Sequence, residues 1–89
     1  MNKFSLIKRV NETEKSMGFM SFSEEESSIF PSTKIKVKVS SPLLEKQILC
    51  TFDPKYNRIY GLRKLFLKSP NENFFKIKSS KKNSYVITL

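Results

Sequence analysis

Apolar and polar residues alternate along several short stretches of the chain, which is the pattern of half-buried β-strands. The clearest stretch is residues 33–39 (TKIKVKV), where Ile35, Val37 and Val39 share one face and three lysines share the other. Similar patterns predict strands at residues 4–10, 19–22, 47–52, 58–60, 74–78 and 85–89. Seven short strands separated by turn residues favour a barrel or a sandwich over a parallel sheet. We therefore expect a mainly β fold.

A first short helix is predicted after Ser23. Ser23 and Glu26 match a capping box, the three consecutive glutamates 24–26 suit the positive end of a helix, and Pro31 ends it. Metal binding is the alternative role for these acids, but successive helical residues point about 100° apart, which favours capping. Residues 11–18 (NETEKSMG) are polar and close on a glycine, so they are interpreted as a loop.

A second short helix is predicted at residues 62–68, directly after Gly61. Its apolar residues recur at helical spacing and form the packing face: Leu62, Leu65 and Phe66. The cations of this segment fall on the opposite, solvent-facing side. Two short helices thus accompany the seven strands.

The segment 53–58 (DPKYNR) predicts an exposed turn between the fourth and fifth strands. Its proline fixes φ, and Asn57 adopts left-handed backbone angles at little cost. Three side chains project from the tip: Lys55, Tyr56 and Arg58. The flanking strands hold this cationic, hydrogen-bonding tip in place.

The chain has 89 residues and a formal net charge of +9. We expect one domain, spanning residues 1–89, with one modest core. Residues 1–30 carry four cations and five acids, whereas residues 31–89 carry thirteen cations and three acids. Such a field attracts polyanions and raises their association rate. A lysine-rich composition from an AT-biased genome is the alternative explanation, since lysines outnumber arginines fourteen to three.

Several classes of chemistry are excluded by composition. Cys50 is the single cysteine, lies in an alternating strand and is interpreted as a packing residue, and the chain has no histidine. Zinc sites, histidine-based catalysis and a glycine-rich phosphate loop therefore cannot be built within it. We expect no enzyme activity, no catalytic residues, no metal, no cofactor and no small-molecule substrate.

Membrane insertion and secretion are not expected either. The longest apolar runs are far shorter than the roughly 20 residues of a membrane span. The first ten residues are too polar for a signal peptide and lack a small-residue cleavage site. We expect a cytoplasmic protein, associated with the nucleoid if the source is bacterial.

Two polar segments carry side chains able to contact phosphates and base edges. The first, residues 8–16, contributes Lys8, Arg9, Asn11, Thr13, Lys15 and Ser16. The second, residues 53–58, contributes Lys55, Tyr56, Asn57 and Arg58. Each has a structural alternative: a solvated hairpin loop for the first segment, and a turn with a structural tyrosine for the second.

Lysines also alternate along two predicted strands, at Lys34, Lys36 and Lys38 and at Lys76 and Lys78. Such ladders most often form the solvated outer face of a strand, and exposed lysines also protect sheet edges from aggregation. They can add nonspecific attraction for phosphates without specifying a base sequence.

In its order of elements the chain resembles the B3-like DNA-binding pseudobarrel domains. This family includes the plant B3 transcription-factor domains and the recognition domains of some restriction endonucleases, such as the N-terminal effector-binding domain of EcoRII. Residues 58–66 (RIYGLRKLF) are similar to the family's strand-then-helix segment. Residues 29–31 (IFP), which close the first helix, and residues 85–87 (YVI) of the last strand add to the resemblance. It implies a B3-like, seven-stranded open pseudobarrel with two short helices.

The resemblance also implies a binding mode, in which two loops grip the DNA major groove like a wrench. The loop after the first strand matches residues 8–16, and the loop between the fourth and fifth strands matches residues 53–58. One half of the grip would be formed by Arg9, Asn11, Thr13 and Lys15, and the other by Lys55, Asn57 and Arg58. The chain departs from the family at residues 70–73 (PNEN), where a Gly-Asp turn usually precedes the sixth strand.

We therefore expect sequence-preferring binding of double-stranded DNA, by the recognition domain of a restriction endonuclease or by a small transcriptional regulator. One alternative is a small barrel that binds RNA or single strands, which needs aromatic side chains exposed on a strand face. Another is a protein–protein module, such as a phage-type inhibitor of a host factor, which would expose an apolar patch. The target site and the oligomeric state cannot be inferred from these patterns.

Overall fold

The computed structural model describes residues 5–89, in which seven strands form one sheet curled into a half-barrel. The strands are β1 (Ser5–Arg9), β2 (Phe19–Ser21), β3 (Ile35–Ser40), β4 (Ile48–Asp53), β5 (Arg58–Tyr60), β6 (Phe74–Ser79) and β7 (Ser84–Thr88). Two α-helices, α1 (Glu12–Met17) and α2 (Arg63–Lys68), and a 3-10 turn (Glu26–Ile29) accompany them. The expected mainly β class is confirmed, and Phe4 of the predicted first strand lies outside the described residues.

The strand order in the sheet is β1-β6-β7-β3-β4-β5-β2. Neighbouring strands are antiparallel, except that β3 and β7 run parallel. Strands β1 and β2 are therefore the two edges of the sheet, and α1 connects them in the chain. Curling brings these edges toward each other, and we call the gap between β1 and β2 the seam.

The prediction of a loop at residues 11–18 was wrong, because α1 lies there. Asn11 caps the helix: its side-chain oxygen accepts the Glu14 N–H at 2.8 Å, and the Glu14 carboxylate accepts the Asn11 N–H at 3.0 Å. Gly18 ends the helix with a left-handed φ of 78°. Most of α1 is exposed, so it has capping residues without an apolar stripe, and its polar composition was misinterpreted.

The helix predicted after Ser23 is shorter than expected, a single 3-10 turn. The capping contacts are present, since the Ser23 N–H donates to the Glu26 carboxylate at 2.9 Å and the Glu26 N–H donates to Ser23 Oγ at 3.1 Å. Pro31 restricts the residue before it to extended backbone, and Phe30 accordingly has φ -107° and ψ 161°, which ends the turn there. None of the helices in residues 5–89 is long and apolar enough to cross a membrane.

The core lies inside the curl and is formed by the faces that the alternation predicted. The inward strand residues Ile59, Phe75, Ile77, Val37 and Val39 are fully buried, as are Leu62 and Leu65 beside α2. Phe30 stacks on Phe52 at a centroid distance of 4.7 Å. The Tyr85 hydroxyl donates to the Ile29 carbonyl at 2.9 Å and so fastens the 3-10 turn to β7.

Cys50 is 1% exposed, which confirms its predicted packing role. Burial removes solvent from the thiolate form and raises the pKa of the thiol to about 11. Because the thiolate is the reactive form, Cys50 is inert at neutral pH.

Candidate nucleic-acid interface

A side-chain ion pair crosses the seam. Lys8, on edge strand β1, donates to the Glu26 carboxylate at 2.7 Å, and its ammonium lies 5.5 Å from the centre of the Phe22 ring. Glu26 and Phe22 both lie in the segment that follows β2. This contact therefore joins edge strand β1 to the segment directly after edge strand β2. The hydrogen bond from Lys8 is the main cause that lowers the pKa of Glu26 below 4.5.

A buried carboxylate ties α1 to the second edge. Glu14 is only 6% exposed. One of its carboxylate oxygens accepts the backbone N–H of Asn11, the cap of α1, and the other accepts the backbone N–H of Ser21 in β2 at 2.9 Å. Two backbone donors thereby satisfy a charge that is costly to bury alone. Glu14 therefore fixes the position of α1 at the seam.

Beside this carboxylate lies a shallow open depression of about 420 Å³, here called the seam groove. It is lined by Lys8, Arg9, Asn11, Thr13, Glu14, Phe19, Ser21 and Arg58. Members of both sequence-predicted segments meet here, although they are more than forty positions apart in the chain. The curl of the sheet brings them together, because β5 lies next to edge strand β2.

Arg58 is held by aromatic rings rather than by a carboxylate. Its guanidinium carbon lies 4.5 Å from the centre of the Phe19 ring and 5.7 Å from that of Tyr56. Cation–π contacts of this kind orient a guanidinium while its edge donors stay available. Within residues 5–89 the ion pairs are made by Lys8 and Lys15, so the charge of Arg58 is not neutralised by a described carboxylate.

The β4–β5 turn has the predicted backbone geometry at Asn57, but the prediction that Arg58 projects from the exposed tip was wrong, because Arg58 is the first residue of β5 and is half-buried. Asn57 has a φ of 52°, and the Asp53 side chain accepts the Lys55 N–H at 3.0 Å. The Asn57 carbonyl accepts the Phe22 N–H at 2.8 Å, which anchors the turn to the chain after β2. Tyr56 is 54% exposed, and the Lys55 ammonium lies 5.4 Å from its ring centre.

Lys15 of the first segment has internal partners. Its ammonium donates to Asn73 Oδ1 at 2.7 Å and to the Pro70 carbonyl at 3.2 Å, and only 10% of its side chain is exposed. Residues 70–73, where the chain departs from the B3-like pattern, therefore form the anchor of α1. Lys8 is likewise 17% exposed and paired, so both lysines position the interface.

The remaining predicted residues lie at the surface. Arg9, Asn11 and Thr13 are exposed, and so is Ser16, whose hydroxyl donates to the Thr13 carbonyl at 3.1 Å. Asn11 can have a double role. Its amide oxygen caps α1, and its amide nitrogen is a donor that can contact a ligand in the groove.

Three residues of the groove, Glu14, Phe19 and Ser21, were missed in the sequence. Glu14 had a readable signal, because Asn-x-x-Glu is itself a capping box. Phe19 and Ser21 had none, since their roles come from cross-strand neighbours: Tyr60 lies beside Phe19, and Arg58 beside Ser21.

Neither a protein-family model nor a curated protein matches the chain. Among solved structures it is similar to a hypothetical protein of Arabidopsis thaliana, with a TM-score of 0.60 and 13% sequence identity. The similarity covers 97% of this chain and 88% of that one. At this identity the likeness shows the fold alone, a curled seven-stranded half-barrel with short helices.

Proposed function

We propose that the protein binds double-stranded DNA with sequence preference, through the seam groove and the tip of the β4–β5 turn. One observation carries the proposal: Arg58 lies in the same groove as Arg9, Asn11 and Thr13. The two groups come from polar segments that are far apart in the chain, and each carries side chains able to contact phosphates and base edges. Their convergence favours a shared ligand.

The side chains fit the major groove, which is about 12 Å wide and admits a helix or a β-ribbon. Arginine pairs in bidentate fashion with guanine, and asparagine with adenine. We assign base contacts to Arg58 and Asn57 from the turn and to Arg9, Asn11 and Thr13 around α1. Lys55 and Tyr56 at the exposed tip suit phosphate contacts.

The finer B3-like assignment belongs to this proposal. The half-barrel fold supports it, as does the presence of Arg58 in one groove with residues of the first segment. The protein would then act as the DNA-recognition domain of a restriction endonuclease or as a small regulator. In a nuclease the cutting centre would lie in another domain.

The arrangement of aromatics favours a duplex over single strands. Single-strand binders stack bases on aromatic side chains that stand on a strand face. Here Phe19, Phe52 and Phe75 are buried, and Phe74 at 57% is the exposed phenylalanine of the described strands. On the strands, exposed Ile7 and Phe74 lie on neighbouring β1 and β6, whereas exposed Leu49 lies on β4 beyond β7 and β3, so the three do not form the single patch that a protein partner needs.

The test is selection from a random duplex pool at two salt concentrations, followed by binding of the selected site to variants. Arg58→Ala and Asn57→Gly should each weaken discrimination by about 1–3 kcal/mol per lost base contact. Glycine is chosen at position 57 because it keeps the left-handed φ of 52° without strain.

Lys64→Ala, which removes one exposed charge from α2, is the matched control and should keep the preference. A pool that shows neither enrichment nor salt dependence would contradict DNA binding altogether. Unchanged preference in both turn variants would contradict this site.

A further inference from the structure

The outer surface of the sheet carries a second cluster of cations, here called the outer lysine face. Its members are Lys36 and Lys38 on β3, Lys76 and Lys78 on β6, and Lys81 and Lys82 in the β6–β7 turn. All six are exposed. The register brings them together, because β7 alone separates β3 from β6, and the Asn83 carbonyl accepts the Lys38 N–H at 2.8 Å.

Protection of sheet edges does not explain these lysines. The edges of the described sheet are β1 and β2, whereas β3 and β6 are interior strands with partners on both sides. The outward positions on β6, β7 and β3 include no acid, and the ion pairs of residues 5–89 do not involve the six lysines. Alternate positions on a strand are about 6.7 Å apart, and β3 and β6 are about 10 Å apart. The register offsets the two lysine ladders along the strands, because Lys38 lies beside Ser84 whereas Lys78 lies beside Val86. The lysines therefore form a diagonal row that continues through the β6–β7 turn without a compensating acid.

The β3 end of this face points away from the seam groove, whereas its β6 end lies next to edge strand β1. In the order β1-β6-β7-β3-β4-β5-β2, strand β3 is the middle strand, and the seam lies between the two ends. Curling a sheet until its ends approach places its middle strand on the opposite wall. Lys36 and Lys38 therefore project from the side of the molecule opposite to Arg58.

We infer that the outer lysine face is a second, sequence-independent binding surface for duplex DNA, so that one molecule can bridge two duplex segments. A single duplex cannot reach both the seam groove and the β3 end of the outer lysine face. The molecule measures 31 × 24 × 20 Å, and DNA has a persistence length of about 50 nm. The duplex is therefore too stiff to bend around so small a barrel. The inference extends the proposed function, but the outer face can bind DNA even if the groove does not.

Duplex DNA fits this face better than an anionic membrane does. Interfacial membrane binding needs a continuous apolar surface to enter the lipid. The exposed apolar residues beside the lysines form two small groups, Ile7 on β1 with Phe74 on the neighbouring β6, and Leu49 on β4, and β7 and β3 lie between them. Charge without a joined apolar patch favours the phosphate backbone, where binding is electrostatic and salt-dependent.

The experiment is a bridging assay in which protein bound to a bead-attached random duplex captures a second, labelled duplex. The test variant is the triple substitution Lys38→Gln, Lys81→Gln and Lys82→Gln, on β3 and in the β6–β7 turn beside it. Lys36 is retained because its ammonium donates to Thr51 Oγ1 at 3.1 Å. The matched control neutralises three lysines around α2 and its neighbouring loop: Lys46→Gln, Lys64→Gln and Lys68→Gln.

We expect the wild type and the control to capture the second duplex, and the test variant to fall to background. In nonspecific binding, the slope of log affinity against log salt should become shallower by about one for each lysine that contacts a phosphate. Sedimentation must show monomers in solution, since a dimer could bridge through its two grooves. Capture that persists in monomers of the test variant, or falls equally in the control, overturns the inference.

The two proposals fail in different ways. If groove binding is wrong but the outer face is right, Arg58→Ala leaves salt-dependent binding intact while the triple variant lowers it. Vesicles containing phosphatidylserine are the third arm. If they bind the wild type but not the triple variant, while duplex binding is the same for both, the face belongs to a membrane and the inference is overturned.

Discussion

At the scale of single residues, the structure separates cations that are already paired from cations that remain available. Lys8 and Lys15 bond to Glu26 and to the Pro70–Asn73 segment, whereas Arg58 rests on two aromatic rings. All three are basic residues in polar segments of the sequence. Their difference arises from partners that are distant in the chain, and it decides which of them can meet a ligand.

Arg58→Lys tests whether the guanidinium group of Arg58, held by the two rings, recognises a base. Lysine keeps the charge but loses the planar fork, so nonspecific affinity should persist while discrimination at one base pair falls by about 1–3 kcal/mol. Competition binding between the selected duplex and single-base variants measures this. Arg63→Lys on α2 is the matched control and should keep the base preference of the wild type. If Arg58→Lys also keeps that preference, Arg58 contributes only its charge to DNA binding.

At the scale of elements, α1 is the unit that sequence patterns described worst. It is a six-residue helix, capped by Asn11, anchored by Glu14 and ended by Gly18. A Cβ at Gly18 would lie 3.0 Å from the backbone nitrogen of Arg63, so glycine also allows the close approach of α2. Periodicity could not reveal a helix that buries so little, but its capping residues could have.

The two roles of Asn11 can be separated by substitution. Asn11→Ala removes both the cap and the amide, and should lower the free energy of unfolding by about 1 kcal/mol. Asn11→Ser keeps a capping oxygen, so stability should be close to wild type while base preference falls. Denaturant unfolding and competition binding together check this, and Asn11→Ser with full preference would restrict Asn11 to capping.

At the scale of the whole molecule, closure of the half-barrel creates the candidate site. The edges β1 and β2 do not pair with each other, and side chains complete the contact: the Lys8–Glu26 ion pair on one side and Glu14 on the other. The same curl places Lys36 and Lys38 of the outer lysine face on the wall opposite to the seam. Two surfaces with different chemistry thus follow from one sheet order.

The ion pair across the seam predicts a pH dependence of stability. The folded-state pKa of Glu26 is lowered from 4.5, so its contribution is present above about that pH and is lost as pH falls through the lower folded value. Because the pair is partly exposed, the contribution should be at most about 1 kcal/mol. The stability difference between wild type and Glu26→Gln should therefore shrink in acid.

Unfolding free energies measured by denaturant from neutral pH to well below pH 4.5 check this prediction. Glu25→Gln, a neighbouring exposed glutamate, is the control and should follow the wild type. A difference for Glu26→Gln that is independent of pH would mean that the ion pair does not hold the seam.

Much of this protein was determined by the sequence alone. Alternation at residues such as Val37 and Phe75 predicted the inward faces, helical spacing predicted the packing of Leu65, and Asp53 and Asn57 predicted the turn. These features depend on side-chain periodicity and local backbone preference, which act between near neighbours in the chain. They were sufficient for the fold class and for the positively charged tip.

Only the tertiary structure decided which polar residues form a site. That Arg58 and Asn11 line one groove, that Lys15 is bonded to Asn73 and that Lys38 faces away from the groove all depend on strand order and curl. Such contacts join positions far apart in the chain, and no local pattern records them. The physical reason is that sheet closure depends on packing of the whole core, so the chemistry at the seam exists only once the barrel has formed.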